Sequence, residues 1–321
     1  MRSVRPDLRR NRAGAATAAR DLRGGRSDRG DELRARTTIA FIGCGRISRA
    51  VVSGLVTAGW SPERLRGVSR TGAGARALAA EFGLVAMPSA PEAVRGADIV
   101  ILAVHPHEMR QVLGGLVQVV SADQLLVSLV ASWHTDAVAA ALPGVPVIRA
   151  VPNVAVALCA GVTALSVGSG ADREHLELAR GVFGSLGRVL GVDEAQMETV
   201  SSLSGAGPAL VARFAQALAE AAAVQGLGRE VADQLAAHAV KSTGALLTGG
   251  GLTPDAVVDS VASPGGMTEA ALDILEKREL TGAVGAALEA AVDLSLSRLA
   301  TGEPPLDQHA GSALPRCGPS K

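Results

Sequence analysis

The strongest constraint on the fold is a regular alternation of short apolar runs with stretches of helical spacing. Apolar runs that suit buried strands occupy residues 38–42, 65–69, 97–104, 124–130, 145–149, 162–167 and 188–192. Apolar residues recur at helical spacing in residues 46–58, 74–82 and 173–186. Because short strands that alternate with helices fold as βαβ units, the pattern predicts an α/β domain built on a parallel sheet.

A glycine-rich turn follows the first predicted strand and reads Gly43-Cys44-Gly45-Arg46-Ile47-Ser48. Gly43 allows a tight turn, and Gly45 allows the backbone to approach a pyrophosphate. The helix that follows points the N–H groups of Arg46 and Ile47 at that anion. Ser48 stands where such motifs carry a third glycine, and it is small enough for close packing. In this position the motif is typical of a Rossmann-like, doubly wound dinucleotide-binding domain.

The residues after the second strand indicate which nicotinamide cofactor binds. NADH sites usually place a carboxylate here for the ribose hydroxyl, but this chain carries Ser69 and Arg70. A guanidinium beside hydroxyl groups suits a 2′-phosphate, and no carboxylate in this segment repels it. We therefore predict NADPH as the cofactor, with NADH as the alternative. The competing interpretation is that Arg70 is a solvated loop residue.

The carboxyl ends of the later strands are predicted to complete the cofactor site, because ligands of open parallel sheets bind there. The residues concerned are Ala103, Val104, His105 and Pro106 after the third strand, 131–132 after the fourth, and Asn153 after the fifth. His105 could act as an acid–base group. A polar contact with cofactor or water is the interpretation that we favour.

Beyond residue 193 the strand signals vanish, and Ala- and Leu-rich helical periods run to about residue 300. Two glycine-rich segments, 204–208 and 263–268, are predicted to be turns that precede helices. Such a turn exposes several backbone N–H donors, which favours a carboxylate ligand. We therefore predict a small anionic substrate, bound at Ser263, Gly265, Gly266 and Thr268. The alternative is ordinary N-capping by Ser or Thr.

The helices of this second region are apolar over wide arcs, as in residues 209–223 and 280–299. A helix that is apolar nearly all round must be buried on nearly all sides. A domain of about 100 residues cannot achieve this alone. The pattern thus predicts a homodimer or a higher homo-oligomer. The alternative is an Ala-rich surface, since Ala is tolerated anywhere on a helix.

Composition excludes several classes of function. The chain has zero net charge, four Phe, two Trp and no Tyr, which argues against a nucleic-acid partner. Its three cysteines lack metal spacing, which predicts a reducing, cytoplasmic compartment and no metal site. No run of 18 uninterrupted apolar residues is present, so we predict no membrane span.

Four segments are predicted along the 321 residues. Residues 1–36 hold eleven arginines and are expected to be a disordered extension. Residues 37–193 form the NAD(P)-binding domain, and residues 194–300 form the helical dimerisation and substrate domain. Residues 301–321 are rich in Pro, Gly and Ser and are expected to be a loose tail.

From about residue 38 to residue 298 the chain resembles the pyrroline-5-carboxylate reductase family. The resemblance is carried by the runs 41–45, 97–98, 103–106, 149–153, 192–194, 204–209 and 261–266. The last two, Ser-Gly-Ala-Gly-Pro-Ala and Val-Ala-Ser-Pro-Gly-Gly, are the most specific.

The resemblance implies hydride transfer from a nicotinamide to the C=N carbon of a cyclic imine that bears a carboxylate, the last step of proline synthesis. It implies that Ser263, Gly265, Gly266 and Thr268 hold the carboxylate or the region of the ring nitrogen. Thr268 is then the candidate proton donor. An interleaved dimer through the helical domain, sometimes assembled further, is also implied.

The chain departs from the family pattern at His105 for Lys, Val154 for Thr, Ala160 for an acid, Ala206 for Ser, Leu210 for Tyr, and Met267 at a position that is often Thr. Three of these changes remove polar groups near the expected site. Two alternatives to the family reaction therefore stay open. One is a reductase of another cyclic imine, and the other is a regulatory protein that binds NADP without turnover.

Overall fold

The computed structural model describes residues 28–301. The expected disorder of residues 1–27 and the expected loose tail at 302–321 lie outside the described residues. The described chain divides into two compact units. One comprises residues 28–206 and 288–301 and contains the sheet, and the other comprises residues 207–287 and is helical. Both boundaries fall inside long helices.

The first unit is built from alternating strands and helices up to residue 191. In chain order they are α1 (Asp28–Arg36), β1 (Ile39–Ile42), α2 (Arg46–Thr57), β2 (Leu65–Val68), α3 (Ala73–Phe82), β3 (Val85–Ala86), α4 (Ala90–Val94), β4 (Ile99–Leu102), α5 (Met109–Leu116), β5 (Leu125–Ser128), α6 (Thr135–Ala141), β6 (Val147–Pro152), β7 (Gly161–Val167), α7 (Arg173–Gly184) and β8 (Gly187–Gly191).

The eight strands form one sheet in the order β3-β2-β1-β4-β5-β6-β7-β8. Ile39 of β1 pairs with Leu65 of β2 on one side and with Ile99 of β4 on the other, all in parallel. The order reverses between β1 and β4, which is the switch point at which doubly wound sheets bind ligands. The predicted Rossmann-like fold is confirmed.

One strand pair departs from the parallel sheet that the alternation predicts. β6 and β7 are antiparallel, with Val151 opposite Ala164. Only residues 153–160 separate the two strands. A parallel connection needs a crossover of a dozen or more residues, so the chain reverses direction instead.

The central strands are buried on both faces, which explains their uninterrupted apolar sequence. Alternate residues of β1 belong to separate cores: Ile39 and Phe41 pack on one side of the sheet, and Ala40 and Ile42 pack on the other. The first core is covered by residues of α2 and α7, and the second by residues of α5. The edge of the sheet that is predicted to bind the cofactor is therefore supported by a packed apolar core on each face of the sheet.

Several short elements were not predicted. β3 has two residues, and α4, α5 and α6 have five to eight, too few for a clear helical period. Helix α1 corrects the expectation of disorder for residues 28–36. Its Leu33 packs against the core so closely that a Cβ at Gly181 of α7 would lie 2.4 Å from the Leu33 Cδ2.

Within the described residues, five helices follow the sheet, in agreement with the predicted helical region: α8 (Met197–Val224), α9 (Arg229–Thr248), α10 (Pro254–Val261), α11 (Met267–Lys277) and α12 (Leu280–Thr301). Helix α8 corrects one expectation, because segment 204–208 lies inside it and is not a turn. Burial of Met197 and Ser202 in the first unit indicates that tertiary packing overrides the helix-breaking tendency of Gly205 and Pro208.

The unit of residues 207–287 has a very small apolar core of its own. Its cluster of buried apolar residues consists of Ala219, Ala232 and Ala236. Large side chains stay exposed, including Val261 at 62% and Met267 at 92%. By length and composition alone, residues Leu280–Ser297 of α12 could cross a membrane, and the same test is passed by helices buried in soluble proteins. The expected absence of a membrane span therefore stays a prediction.

Candidate active site

The turn after β1 can be formed only by glycine at its first position. Gly43 has a φ of +99°, and a Cβ there would lie 2.4 Å from the carbonyl oxygen of Ala103. The N–H of Gly43 donates to the carbonyl of Val68 at 2.9 Å. The backbone after β1 thus lies in close contact with the ends of β2 and β4, at the switch point of the sheet.

The helix that follows begins without a side-chain cap, and its start is open. Gly45 is the N-cap of α2 and has no side chain to accept from the first N–H groups of the helix. Open space surrounds the position that a Cβ would take, with nothing within 4 Å. An uncapped N-terminus on a helix of three turns favours an anion. The turn therefore fits the pyrophosphate of a dinucleotide, with Arg46 and Ile47 in the first turn of the helix.

Ser48 shows how this chain manages without a third glycine in the motif. The residue is fully buried, and its hydroxyl donates to the carbonyl of Gly43 at 2.7 Å. Because its polar group is satisfied, the serine costs little when buried between helix and strand. The hydrogen bond also ties the start of α2 to the glycine turn.

Cys44 lies in the same turn but does not have the chemistry of a nucleophile. Its thiol donates weakly to the carbonyl of Val68 at 3.5 Å. Burial raises the pKa of the Cys44 thiol to about 11. The reactive thiolate is therefore scarce at neutral pH.

The segment after β2 holds the two residues predicted to bind the 2′-phosphate. The Ser69 hydroxyl accepts from the N–H of Ala75 at 3.2 Å and so supports the start of α3. The guanidinium of Arg70 is 79% exposed and lies 2.9 Å from the carboxylate of Glu108. The segment after β2 carries no carboxylate, as predicted, but the fold brings Glu108 to Arg70 from the segment after β4.

The segment after β4 carries His105 and a short 3-10 turn, Pro106–Glu108. The second carboxylate oxygen of Glu108 accepts from the backbone N–H of His105 at 3.2 Å. The rings of His105 and His107 are stacked, with their centroids 5.7 Å apart. His105 is exposed at the rim of the sheet, and its ring is not part of the core.

A cavity of about 340 Å³ lies beyond the ends of β4 and β5 in the first unit. Of the residues predicted to bind the cofactor, Ile47, Ala103, Val104 and Pro106 line it. Residues 129–132 complete the wall from the segment after β5, as expected for residues 131–132. A mostly apolar wall with a few polar groups is typical of a site for an uncharged ring.

Serines of the later helices also line this cavity, and the sequence interpretation missed them. They are Ser201 and Ser202 of α8 and Ser295 of α12. Ser202 is 9% exposed, and its hydroxyl has no hydrogen-bond partner among the described residues. The three hydroxyls lie outside the glycine-rich segment 204–208 that drew the functional interpretation, so only the fold reveals them.

Asn153 is placed differently from the other predicted cofactor residues. Its side-chain oxygen accepts from the backbone N–H of Val162 at 3.2 Å. This bond closes the connection from β6 to β7. Asn153 is not among the residues that line the cavity.

A buried ion network lies behind the cavity and was not predicted. Arg149 of β6 is completely buried and donates to Glu194 at 3.1 Å and to Glu198 at 2.6 Å. The other oxygen of Glu198 accepts from the hydroxyl of Ser295, which lines the cavity. The Glu194 carboxylate also accepts from the N–H of Thr135. The network therefore fixes the helical wall of the cavity to the sheet.

The predicted substrate turn belongs to the helical unit. Gly265 has a φ of +74°, and Gly266 is the N-cap of α11 with no side-chain cap. The N–H of Gly265 donates to the Glu269 carboxylate at 2.6 Å, so one of the predicted donors already holds an internal anion. A Cβ at Gly266 would lie 2.5 Å from the Ser263 hydroxyl, which requires glycine there as well.

Comparisons with known proteins agree with this architecture. Residues 194–297 match the family model described as "Pyrroline-5-carboxylate reductase dimerisation", and residues 38–132 match "NADP oxidoreductase coenzyme F420-dependent". The pyrroline-5-carboxylate reductase of Mycobacterium leprae is 36% identical over 282 residues, which cover 81% of this chain and 96% of that protein.

Solved structures show the same relationship. A pyrroline-5-carboxylate reductase from Coxiella burnetii is 30% identical with a TM-score of 0.76, covering 81% of this chain and 98% of that one. A Plasmodium falciparum pyrroline carboxylate reductase solved with NADP bound shares the fold, at 23% identity, a TM-score of 0.73, and coverage of 82% and 98%. The chain belongs to the pyrroline-5-carboxylate reductase family.

Proposed function

We propose that the chain reduces 1-pyrroline-5-carboxylate to L-proline with NADPH. The observation that carries the proposal is the cavity beyond β4 and β5, which adjoins a glycine turn and an uncapped helix start at the switch point of the sheet. A dinucleotide fits such an arrangement, with its diphosphate at the turn and its nicotinamide in the cavity. The family relationship supplies the substrate class.

The bound cofactor supplies a hydride to the C=N carbon, and the chain itself contributes binding, orientation and exclusion of water. Gly43, Gly45, Arg46 and Ile47 are proposed to hold the diphosphate, and Ser69 and Arg70 the adenosine phosphate. Along the strand ends, the proposed contacts are Ala103, Val104, His105, Pro106 and Asn153. A protonated imine is already electrophilic, so positioning carries most of the catalysis.

The substrate carboxylate is proposed to bind at the start of α11, through Ser263, Gly265, Gly266 and Thr268. The missing side-chain cap of this helix supports an anion site there. The hydroxyl of Thr268 is the proposed proton donor to the ring nitrogen. The Glu269 carboxylate already accepts from the N–H of Gly265. The substrate carboxylate must therefore displace the Glu269 side chain to bind at that donor.

We assign residues 37–193 to cofactor binding and residues 194–300 to dimerisation and substrate binding. The exposed apolar side chains of the helical unit support a homodimer, since a second copy would bury them. The match to a dimerisation family model supports the same assembly. The proposed location is the cytoplasm, with no membrane or nucleic-acid partner.

Loss of reduced-nicotinamide absorbance on addition of racemic pyrroline-5-carboxylate tests the function, with NADPH and NADH in turn. A six-membered cyclic imino acid serves as the matched substrate control. Turnover of the five-membered ring supports the proposal. Turnover of the six-membered ring alone would identify the chain as a reductase of another cyclic imine. Tight NADPH binding without oxidation against either ring would assign it to a regulatory role.

A further inference from the structure

We propose that Glu108 sets how strongly the cofactor site prefers NADPH over NADH, by sharing the guanidinium of Arg70 with the 2′-phosphate. The inference rests on the proposed binding of a dinucleotide by the same domain. It adds a specificity-determining residue that belongs to neither the glycine turn nor the β2 segment. Its test measures binding, so it does not depend on turnover of the imine.

The two charges come from different segments at the same edge of the sheet. Arg70 follows β2, and Glu108 ends the 3-10 turn after β4. One guanidinium nitrogen of Arg70 lies 2.9 Å from one carboxylate oxygen of Glu108. The remaining N–H groups of Arg70 are open to a second anion, because 79% of its side chain is exposed.

Glu108 is the fixed member of this pair. Its side chain is only 17% exposed, and its second oxygen accepts from the backbone N–H of His105 at 3.2 Å. The turn itself is anchored, since Met109 is fully buried and the indole of Trp133 donates to the carbonyl of Pro106 at 3.0 Å. A ligand that arrives at Arg70 therefore meets a carboxylate that does not move away.

The charge of Glu108 acts oppositely on the two cofactors. A 2′-phosphate bound to Arg70 lies within a few ångströms of a second anion and loses part of the attraction of the guanidinium. An unmodified ribose presents a hydroxyl, which donates to a carboxylate in ordinary NADH sites. Arg70 and Glu108 thus combine the features of both site types, and the expected result is a weak preference for NADPH.

Equilibrium dissociation constants of NADPH and NADH test the inference in Glu108→Gln, which keeps the shape of the side chain and removes its charge. We expect the NADPH constant to fall about fivefold and the NADH constant to stay or rise, since exposed charge pairs contribute up to about 1 kcal/mol. Adenosine 2′,5′-bisphosphate and AMP serve as probes of the adenosine end, and only the first should bind more tightly.

A matched control is Glu81→Gln, which removes the same charge from another ion pair, 2.7 Å from Arg49. It should leave the ratio of the two constants unchanged. A ratio that stays the same in Glu108→Gln overturns the inference, because Glu108 would then only support its turn. A ratio that shifts equally in both variants overturns it as well, since net charge alone would explain the effect.

Discussion

The guanidinium of Arg149 is completely buried and donates to the carboxylate of Glu198 across 2.6 Å. Arg149 lies in β6 and Glu198 in the first turn of α8, so the pair joins the sheet to the helix that bears Ser201 and Ser202. Charged groups that are buried away from water keep their charges only when they are paired with groups of opposite charge. The wall of the cavity is therefore held by an interaction that does not tolerate removal of either partner.

Replacement of Glu198 by Gln should lower the free energy of unfolding by about 3 kcal/mol, because it removes one of the two carboxylates that pair the buried guanidinium. Urea denaturation of the purified protein measures the change. The control is Asp233→Asn, which breaks an exposed pair with Arg229 within one helix, and it should leave the midpoint unchanged. Equal effects of the two variants would contradict a structural role of the buried network.

Gly43→Ala should destabilise the fold, and Gly45→Ala should not. Alanine at Gly43 combines a positive φ with contact to a backbone carbonyl, which costs about 3 kcal/mol. At Gly45 a methyl group meets only open space, so stability should change by less than about 0.5 kcal/mol. NADPH affinity should nevertheless fall in Gly45→Ala, because the methyl group fills the approach to the backbone. Unaltered affinity would show that the diphosphate binds elsewhere.

Gly265→Val should abolish turnover and leave the affinity for NADPH unchanged, because the substituted turn is proposed to bind only the substrate. The matched control is Gly251→Val. Gly251 also has a positive φ and open space at its Cβ, so the backbone strain is similar. The control should retain turnover. Loss of cofactor affinity in Gly265→Val would show that the turn at residues 263–268 does not serve the substrate alone, which contradicts the proposed carboxylate site.

The raised pKa of the Cys44 thiol predicts a stability loss at alkaline pH. The folded state holds this proton up to a pKa of about 11, compared with an ordinary value of 9.0. Because the folded pKa lies above the unfolded one, the contribution is complete below pH 9 and declines as the pH rises toward about 11. The free energy of unfolding should fall more steeply over this range in the natural protein than in Cys44→Ala. Parallel curves would contradict the burial of the thiol.

Phe214→Glu should convert the proposed homodimer into a monomer. Phe214 is 43% exposed on α8 beside Leu210, Val211 and Leu218, which share its apolar surface. A charge in a buried interface is costly unless it is paired. Light scattering after size-exclusion chromatography measures the mass. The control is Val117→Glu, an equally exposed apolar site in the sheet-bearing unit, which should leave the mass unchanged.

Local patterns predicted much of the fold, because the strands around the switch point are buried on both faces and read as continuous apolar runs. The turn at Gly43 could be predicted for the same reason, since it directly follows such a run. The antiparallel pairing of β6 and β7 follows from the short connection between them. The sequence pattern does not fix the ends of the two strands closely enough to give the length of that connection. The turn predicted at residues 204–208 is wrong, because α8 continues through Gly205 and Pro208 from a first part whose Met197 is buried in the sheet-bearing unit.

The site was only partly predictable for a different reason. The local sequence indicates which residues follow strands, such as Arg70, but not which distant side chain will approach them. Glu108 is 38 positions away, and its approach to Arg70 follows from the pairing of β1 with both β2 and β4. The same holds for Ser295, which lies 97 positions from Glu198.

Residues 288–301 belong to the same compact unit as the sheet, although they are synthesised about 100 residues after its last strand. When synthesis has reached only residue 193, all strands of the described residues have been made, but Glu194, Glu198 and Ser295 have not. The charge of Arg149 then has no partner from this network. The sheet-bearing unit therefore reaches its final state only after residues 288–301 have been synthesised.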